Sequence, residues 1–154
     1  MLKINDKIPN FEILTDRDNF KTSNYQGKNI VVFFFPRADT SGCTAESIAF
    51  TNLQEEFDKL NCIVIGISKD NPKKQGKFRE KYNLTCELGS DFENDVCEQF
   101  GVWIEKSMYG KKYMGIQRST FLSNEHGLIT NIWEKVKVPG HAEEVLETVK
   151  NLNT

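Results

Sequence analysis

Cys43 is the residue of this chain best placed to do chemistry. It stands in the run Pro36-Arg37-Ala38-Asp39-Thr40-Ser41-Gly42-Cys43-Thr44-Ala45-Glu46, between an apolar stretch and a helical pattern. A cysteine reacts as its thiolate, and the first turn of a helix offers unpaired N–H donors and a partial positive charge that stabilise an anion. A thiol with an ordinary pKa of about 8.5 falls to between about 3.5 and 7.5 at such a site, especially beside arginine or lysine. Gly42 bares the backbone there, and Arg37 is close in sequence. The competing reading is a small buried hydrophobe, which describes most cysteines. Position and neighbours weigh against it here.

Three elements must position this residue: a strand, a short loop and a helix. Ile30-Val31-Val32-Phe33-Phe34-Phe35 is unbroken, β-branched and aromatic, the composition of a strand buried on both faces. Pro36 ends it. Asp39, Thr40 and Ser41 are all competent N-caps, which sets the helix start within a residue or two of Thr40. A single helix from about Gly42 to Leu60 is expected, with Phe50, Leu53, Phe57 and Leu60 along one side. At about 100° per residue, Ile48 lies roughly 180–200° from that stripe, on the polar side.

Around this unit the pattern predicts an α/β chain. Phe11 to Leu14 and Phe20 to Thr22 form an N-terminal hairpin across the turn at residues 15–19. Cys62 to Ser68 is a second apolar strand, making a right-handed βαβ crossover with the first. Asn71-Pro72 starts a lysine-rich helix that reaches Tyr82 and packs through Phe78 and Tyr82. Leu84 to Leu88 is a short strand, and Asp91 caps a helix whose Phe92, Val96 and Phe100 share a face. Residues 101–115 read as a loop of mixed polarity. Ile116 to Leu122 and Leu128 to Trp133 form a hairpin, and Ala142 to Leu152 is the last helix, with Val145, Leu146 and Val149 facing inward. The order implies a mixed central sheet flanked by helices on both faces. That is the architecture of the thioredoxin-like fold, but the position where thioredoxins complete a CxxC pair is Glu46.

Composition narrows the classes of function. The 154 residues suit one domain, expected to span residues 1–154. Twenty Lys plus Arg against 22 Asp plus Glu give a net charge of −2 without a long block of one sign, so no nucleic-acid partner is expected. The first residues lack the apolar core of a signal peptide, and no run approaches the 18 or so apolar residues of a membrane span. A soluble, cytoplasmic protein is expected. Cys43, Cys62, Cys86 and Cys97 form no CxxC pair, and thiols are expected in preference to a disulfide framework. The only histidines, His126 and His141, read as a turn residue and a helix-start residue, so no metal cluster and no cofactor is predicted.

Four ordered segments carry a resemblance. Pro36-x-x-x-Thr40-x-x-Cys43 matches the PxxxTxxC signature of peroxiredoxins. The segments Cys97-Glu98-Gln99-Phe100-Gly101-Val102-Trp103, Tyr109 to Leu122 and Gly140-His141-Ala142-Glu143-Glu144-Val145 resemble the bacterioferritin comigratory protein, or Q-type, branch of that family. The similarity covers about residues 4 to 150. It implies that Cys43 is the peroxidatic cysteine, attacking one peroxide oxygen to leave a sulfenic acid and release water or alcohol. Thr40 would hydrogen-bond the thiolate and the peroxide through its hydroxyl, and Pro36 would shield the thiolate from water. Arg118 would reach from a neighbouring strand to hold the sulfur charged and meet the leaving oxygen. The chemistry makes the same demands: an ionised sulfur, a positioned peroxide, and donors aimed at oxygen as it gains charge. Read without the resemblance, Arg118 is an ion-pair or edge residue, Thr40 an N-cap and Pro36 a strand stop. Glu46 either closes a capping box or holds Arg118.

The chain departs from the family at one informative place. Many Q-type members carry a resolving cysteine five residues after the peroxidatic one, and here that residue is Ile48. Either another thiol resolves Cys43, with Cys86 the best candidate at an exposed helix-to-strand junction, or an external thiol reduces the sulfenic acid in a one-cysteine cycle. The second is favoured. The implied partners are a peroxide and a thioredoxin, glutaredoxin or small-thiol reductant, and a monomer is expected. The alternative class is a non-enzymatic, peroxide-sensing relay protein of the same fold. A structural or chaperone-like protein would not need Thr40 and Arg118 beside Cys43, and the Gln and Trp partners of a glutathione-peroxidase-like enzyme are not recognisable.

Overall fold

The computed structural model describes residues 2–152; Met1, Asn153 and Thr154 of the expected 1–154 span lie outside them. The chain lays down strand β1 (Glu12–Thr15), β2 (Asn19–Lys21), a 3-10 turn (Thr22–Tyr25) and β3 (Asn29–Phe34). Helices α1 (Ser41–Asn52) and α2 (Gln54–Lys59) follow, then β4 (Cys62–Ser68), α3 (Pro72–Tyr82), β5 (Glu87–Ser90) and α4 (Val96–Gln99). The rest comprises β6 (Trp103–Met108), β7 (Lys111–Ile116), β8 (Ser119–Ser123), β9 (Ile129–Trp133) and α5 (His141–Leu152). Seven strands make one mixed sheet in the order β2-β1-β5-β4-β3-β8-β9. β3 runs parallel to β4, and β4 to β5; the remaining pairs are antiparallel.

The central strand is buried along its whole length because both faces of the sheet are covered. Val31, Phe33 and Phe35 point into one core cluster with Phe50, Phe57, Phe78, Val145 and Val149, from α1, α2, α3 and α5. Ile30, Val32 and Phe34 point into the other, with Phe11, Phe20, Val96, Phe100 and Phe121. Helices thus flank the sheet on both faces, though unequally: only the short α4 contributes to the second cluster. Gly66 lies opposite Phe33 in the β3–β4 register. A Cβ there would meet the Phe33 ring at 2.4 Å, so glycine is what lets Phe33 turn onto Phe50, with ring centroids 4.6 Å apart. This stack ties α1 to β3 two turns beyond Cys43.

Expectations are corrected at several places along the chain. The single helix from Gly42 to Leu60 is two helices, interrupted at Leu53, whose φ of −102° and ψ of 7° leave the helical range. Thr51 and Asn52 before it are poor helix formers, and the Thr51 hydroxyl accepts the Thr85 N–H. Ile48 is half-buried against the first cluster, because α5 packs on α1 and covers a side that a single-face pattern leaves to water. The N-cap of α4 is Asp95, not Asp91, whose carboxylate nevertheless accepts the Val96 and Cys97 N–H groups; the helix is only four residues long and Phe92 is exposed. The short strand after Leu84 begins at Glu87.

Residues 103–116 form an antiparallel ribbon, β6–β7, where a loop over 101–115 and a strand from Ile116 are expected, and it is closed by Tyr109 and Gly110 at φ of 52° and 76°. Two adjacent left-handed residues match the right-handed twist of a tight hairpin. The ribbon also ends before Arg118, which therefore sits in the link between β7 and β8 instead of inside a strand.

Candidate active site

Cys43 lies in the first turn of α1, with its side chain in the first core cluster and fully buried. The N-cap is Thr40, in extended conformation at φ −90° and ψ 158°. The loop 36–40 that delivers the helix is pinned from below. Asp70 Oδ2 accepts the Ala38 N–H at 2.7 Å, and Asp39, left-handed at φ 62°, accepts from Tyr82 Oη at 2.6 Å and Lys81 Nζ at 3.0 Å. Arg118 arrives from the other side. The register pairs Ser119 with Phe34, so the preceding residue stands beside the exit of β3, where α1 is about to begin.

The guanidinium joins the two halves of the site. Arg118 Nη2 donates to Cys43 Sγ at 3.1 Å, and Nη1 donates to Glu46 Oε1 at 2.7 Å. Glu46 is one helical turn after Cys43 and only 1 % exposed, so a single planar side chain bridges two positions on one face of α1. Gly42 makes the approach feasible, since a Cβ at that position would sit 3.2 Å from Arg118 Nη2. Burial pushes the Glu46 carboxyl up to about 7 against the pull of Arg118, and its second oxygen has no hydrogen-bond partner. Burial works against the Arg118 charge as well, yet the Cys43 sulfur and Glu46 hold it above its ordinary range.

The other sequence-predicted residues stand nearby in different roles. The Thr40 hydroxyl is exposed and donates to the Arg37 carbonyl at 2.9 Å, not to the sulfur. Pro36 is exposed at the end of β3, and Arg37 is exposed in the loop. Glu46 is the partner that sequence reasoning left outside the core set; its i+3 spacing from Cys43 was the available signal. His141 opens α5 and is buried, its Nε2 2.7 Å from Thr120 Oγ1, with burial lowering its pKa.

None of the other thiols is placed beside Cys43. Cys62 pairs with Asn29 at the far end of β3, five residues and about 16 Å from Phe34. Cys97 belongs to the cluster on the opposite face of the sheet. Cys86, expected at an exposed junction, is buried; it neighbours Thr51, eight residues and about 12 Å along α1 from Cys43. The junction is closed because Arg79 folds back to donate to the Leu84 and Cys86 carbonyls. Burial pushes the Cys62 thiol up to about 12 and the Cys86 thiol up to about 11, and raises Cys97 further. Among the described residues, no group of three or more His, Cys, Asp or Glu is arranged to hold a metal ion, and no helix is long and apolar enough to cross a membrane.

A thioredoxin-like sheet whose central strand delivers a cysteine onto a helix N-terminus, against a half-buried arginine, defines the thiol-dependent peroxidases. This chain belongs to the AhpC/TSA family, whose model matches residues 4–132, and within it to the peroxiredoxins of the Bcp, or Q, type. It is 42 % identical to Peroxiredoxin Bcp of Bacillus subtilis over 153 residues, covering 99 % of this chain and 98 % of that one. A cysteine-to-serine mutant of Xylella fastidiosa PrxQ superposes with a TM-score of 0.94 at 34 % identity, covering 100 % and 99 % of the two chains. The Xanthomonas campestris bacterioferritin comigratory protein gives a TM-score of 0.89 at 35 % identity, covering 94 % and 92 %. The protein is a peroxidase, an oxidoreductase.

Proposed function

We propose that the enzyme reduces hydrogen peroxide and organic hydroperoxides through a sulfenic acid on Cys43, and that an external thiol completes a one-cysteine cycle. The Arg118 Nη2 to Cys43 Sγ hydrogen bond of 3.1 Å carries this reading. It sets a permanent positive charge on the nucleophile and next to the bond to be broken. The Cys43 thiolate attacks the terminal oxygen of the peroxide. A sulfur–oxygen bond forms, the oxygen–oxygen bond breaks, and its electron pair leaves on hydroxide or alkoxide, which takes a proton from solvent. Thr40 rotates its hydroxyl from the Arg37 carbonyl to the incoming peroxide, and Pro36 limits water at the mouth of the site. For the Xanthomonas campestris relative, alkyl peroxide reduction activity is described with trapped intermediate and ligand complexes, which supports organic hydroperoxides as substrates here.

The placement of Cys62, Cys86 and Cys97 supports the second half of the cycle. Each is buried, with a raised pKa and therefore a poor nucleophile. A thioredoxin, a glutaredoxin or a small thiol attacks the sulfenic sulfur, expels water and leaves a mixed disulfide that a second thiol resolves. The enzyme works in this reading as a single-domain monomer in the cytoplasm. Intact-mass measurement after one equivalent of peroxide tests it: a gain of one oxygen, trapped by dimedone, is expected. A loss of two hydrogens would mean that an internal thiol resolves Cys43.

A further inference from the structure

The β6–β7 ribbon contributes one residue that the reading above does not use. Lys106 pairs across the ribbon with Tyr113, and Ile104 with Gly115, so Gly115 lies diagonally from Lys106 on the same face. The lysine stem runs over that glycine, whose missing side chain gives it room: a Cβ there would meet Lys106 Cδ at 3.2 Å and Cε at 3.5 Å. Its direction is therefore along β7 towards the base of the ribbon, and Arg118 follows Gly115 by three residues. The side chain is half-buried. No carboxylate among the described residues lies within ion-pair distance of its ammonium. Burial first, and then the Arg118 charge, disfavour its ammonium and lower its pKa, while the Cys43 sulfur favours the charged form.

A partly buried lysine without a counter-ion is unfavourable unless something else uses its charge. The site has such a need. Each terminal nitrogen of Arg118 already has a partner, the sulfur on one side and Glu46 on the other. With the sulfur ionised, one positive charge faces two potential negative ones before any peroxide arrives. Attack then adds a third centre of negative charge, on the oxygen that departs.

We propose that Lys106 is the second cation of the peroxide site, its ammonium reaching from the ribbon to stabilise the oxygen that leaves as the oxygen–oxygen bond breaks. The inference rests on the peroxidase reading. The lysine supplies charge and no proton: the sulfur is oxidised by two electrons, the bond pair goes to the leaving oxygen, and the proton on the product comes from solvent. Arginine at this position should therefore substitute for lysine, and a neutral isostere should not.

The test is the second-order rate constant for the reaction of the reduced enzyme with hydrogen peroxide, measured by stopped flow for wild type, Lys106→Met and Lys106→Arg. Lys106→Met is expected to be about ten- to a hundredfold slower, and Lys106→Arg within about threefold of wild type. Lys106→Met within about twofold of wild type, or Lys106→Arg as slow as Lys106→Met, would overturn the assignment and leave the peroxidase reading standing. A wild type inert to peroxide would overturn both.

Discussion

Cys43 and Cys97 are two versions of one arrangement. Both are fully buried and both sit in the first turn of a helix. They differ in the charge that faces them. Cys43 receives the Arg118 guanidinium, whereas Cys97 lies against the buried Asp91 carboxylate, which accepts its backbone N–H at 2.8 Å and is itself held by Lys69 at 3.1 Å. Burial first, and then Asp91, raise the Cys97 thiol far above its ordinary value. A helix N-terminus is thus not enough to make a reactive thiol. At Cys97 the four-residue helix has little dipole, and its free N–H groups are taken by an acid. At Cys43 a twelve-residue helix and a cation act together.

The largest break of this comparison comes from the two sulfurs themselves. Cys43→Ser should abolish peroxide consumption, while Cys97→Ser should stay within about twofold of wild type in a coupled thiol-oxidation assay. Next is the partner charge. Arg118→Met should lower the rate constant for peroxide by about a hundred- to a thousandfold, in the range found when a donor to a developing oxyanion is removed. Arg118→Lys should recover only part, because an ammonium cannot bridge Cys43 and Glu46 as a planar fork does.

Glu46 sharpens the comparison through pH. Its folded pKa, about 7, stands above the ordinary 4.5, so between these values the native state holds more proton than the unfolded chain. Stability should therefore fall as pH rises through that window, by up to about 3 kcal/mol, the group being only 1 % exposed. Denaturant titrations across that range should show the fall in wild type and its absence in Glu46→Gln. The smallest effect is at Gly42. Alanine there would crowd Arg118 Nη2 at 3.2 Å, and a several-fold loss of rate with little change in stability is expected.

Much of this site was legible before any coordinates. The apolar run into β3, the stop at Pro36 and the N-cap at Thr40 located Cys43 on its helix, because these are local rules that tertiary contacts did not override. Arg118 was assigned by resemblance; local pattern placed it in a strand, and only the end of the ribbon shows that it is in a link. Glu46 read from sequence either as closing a capping box or as holding Arg118, and only the fold, which brings Arg118 Nη1 to Glu46 Oε1, decides between the two. The interruption at Leu53, the covered side of Ile48 and the burial of Cys86 all depend on what packs from elsewhere: Thr85, α5 and the Arg79 side chain. The ribbon was missed for a different reason. Its lysines and exposed tyrosine suit no core-facing face, so hydropathy alternation was silent, and the Tyr109-Gly110 turn was the one local clue.

The most direct test of the account is the rate at which iodoacetamide alkylates reduced wild type and Arg118→Met at neutral pH, read by intact mass, with Cys43→Ser as the blank. Wild type is predicted to take up one label on Cys43 at least about tenfold faster than Arg118→Met. Equal labelling rates in the two proteins would contradict it.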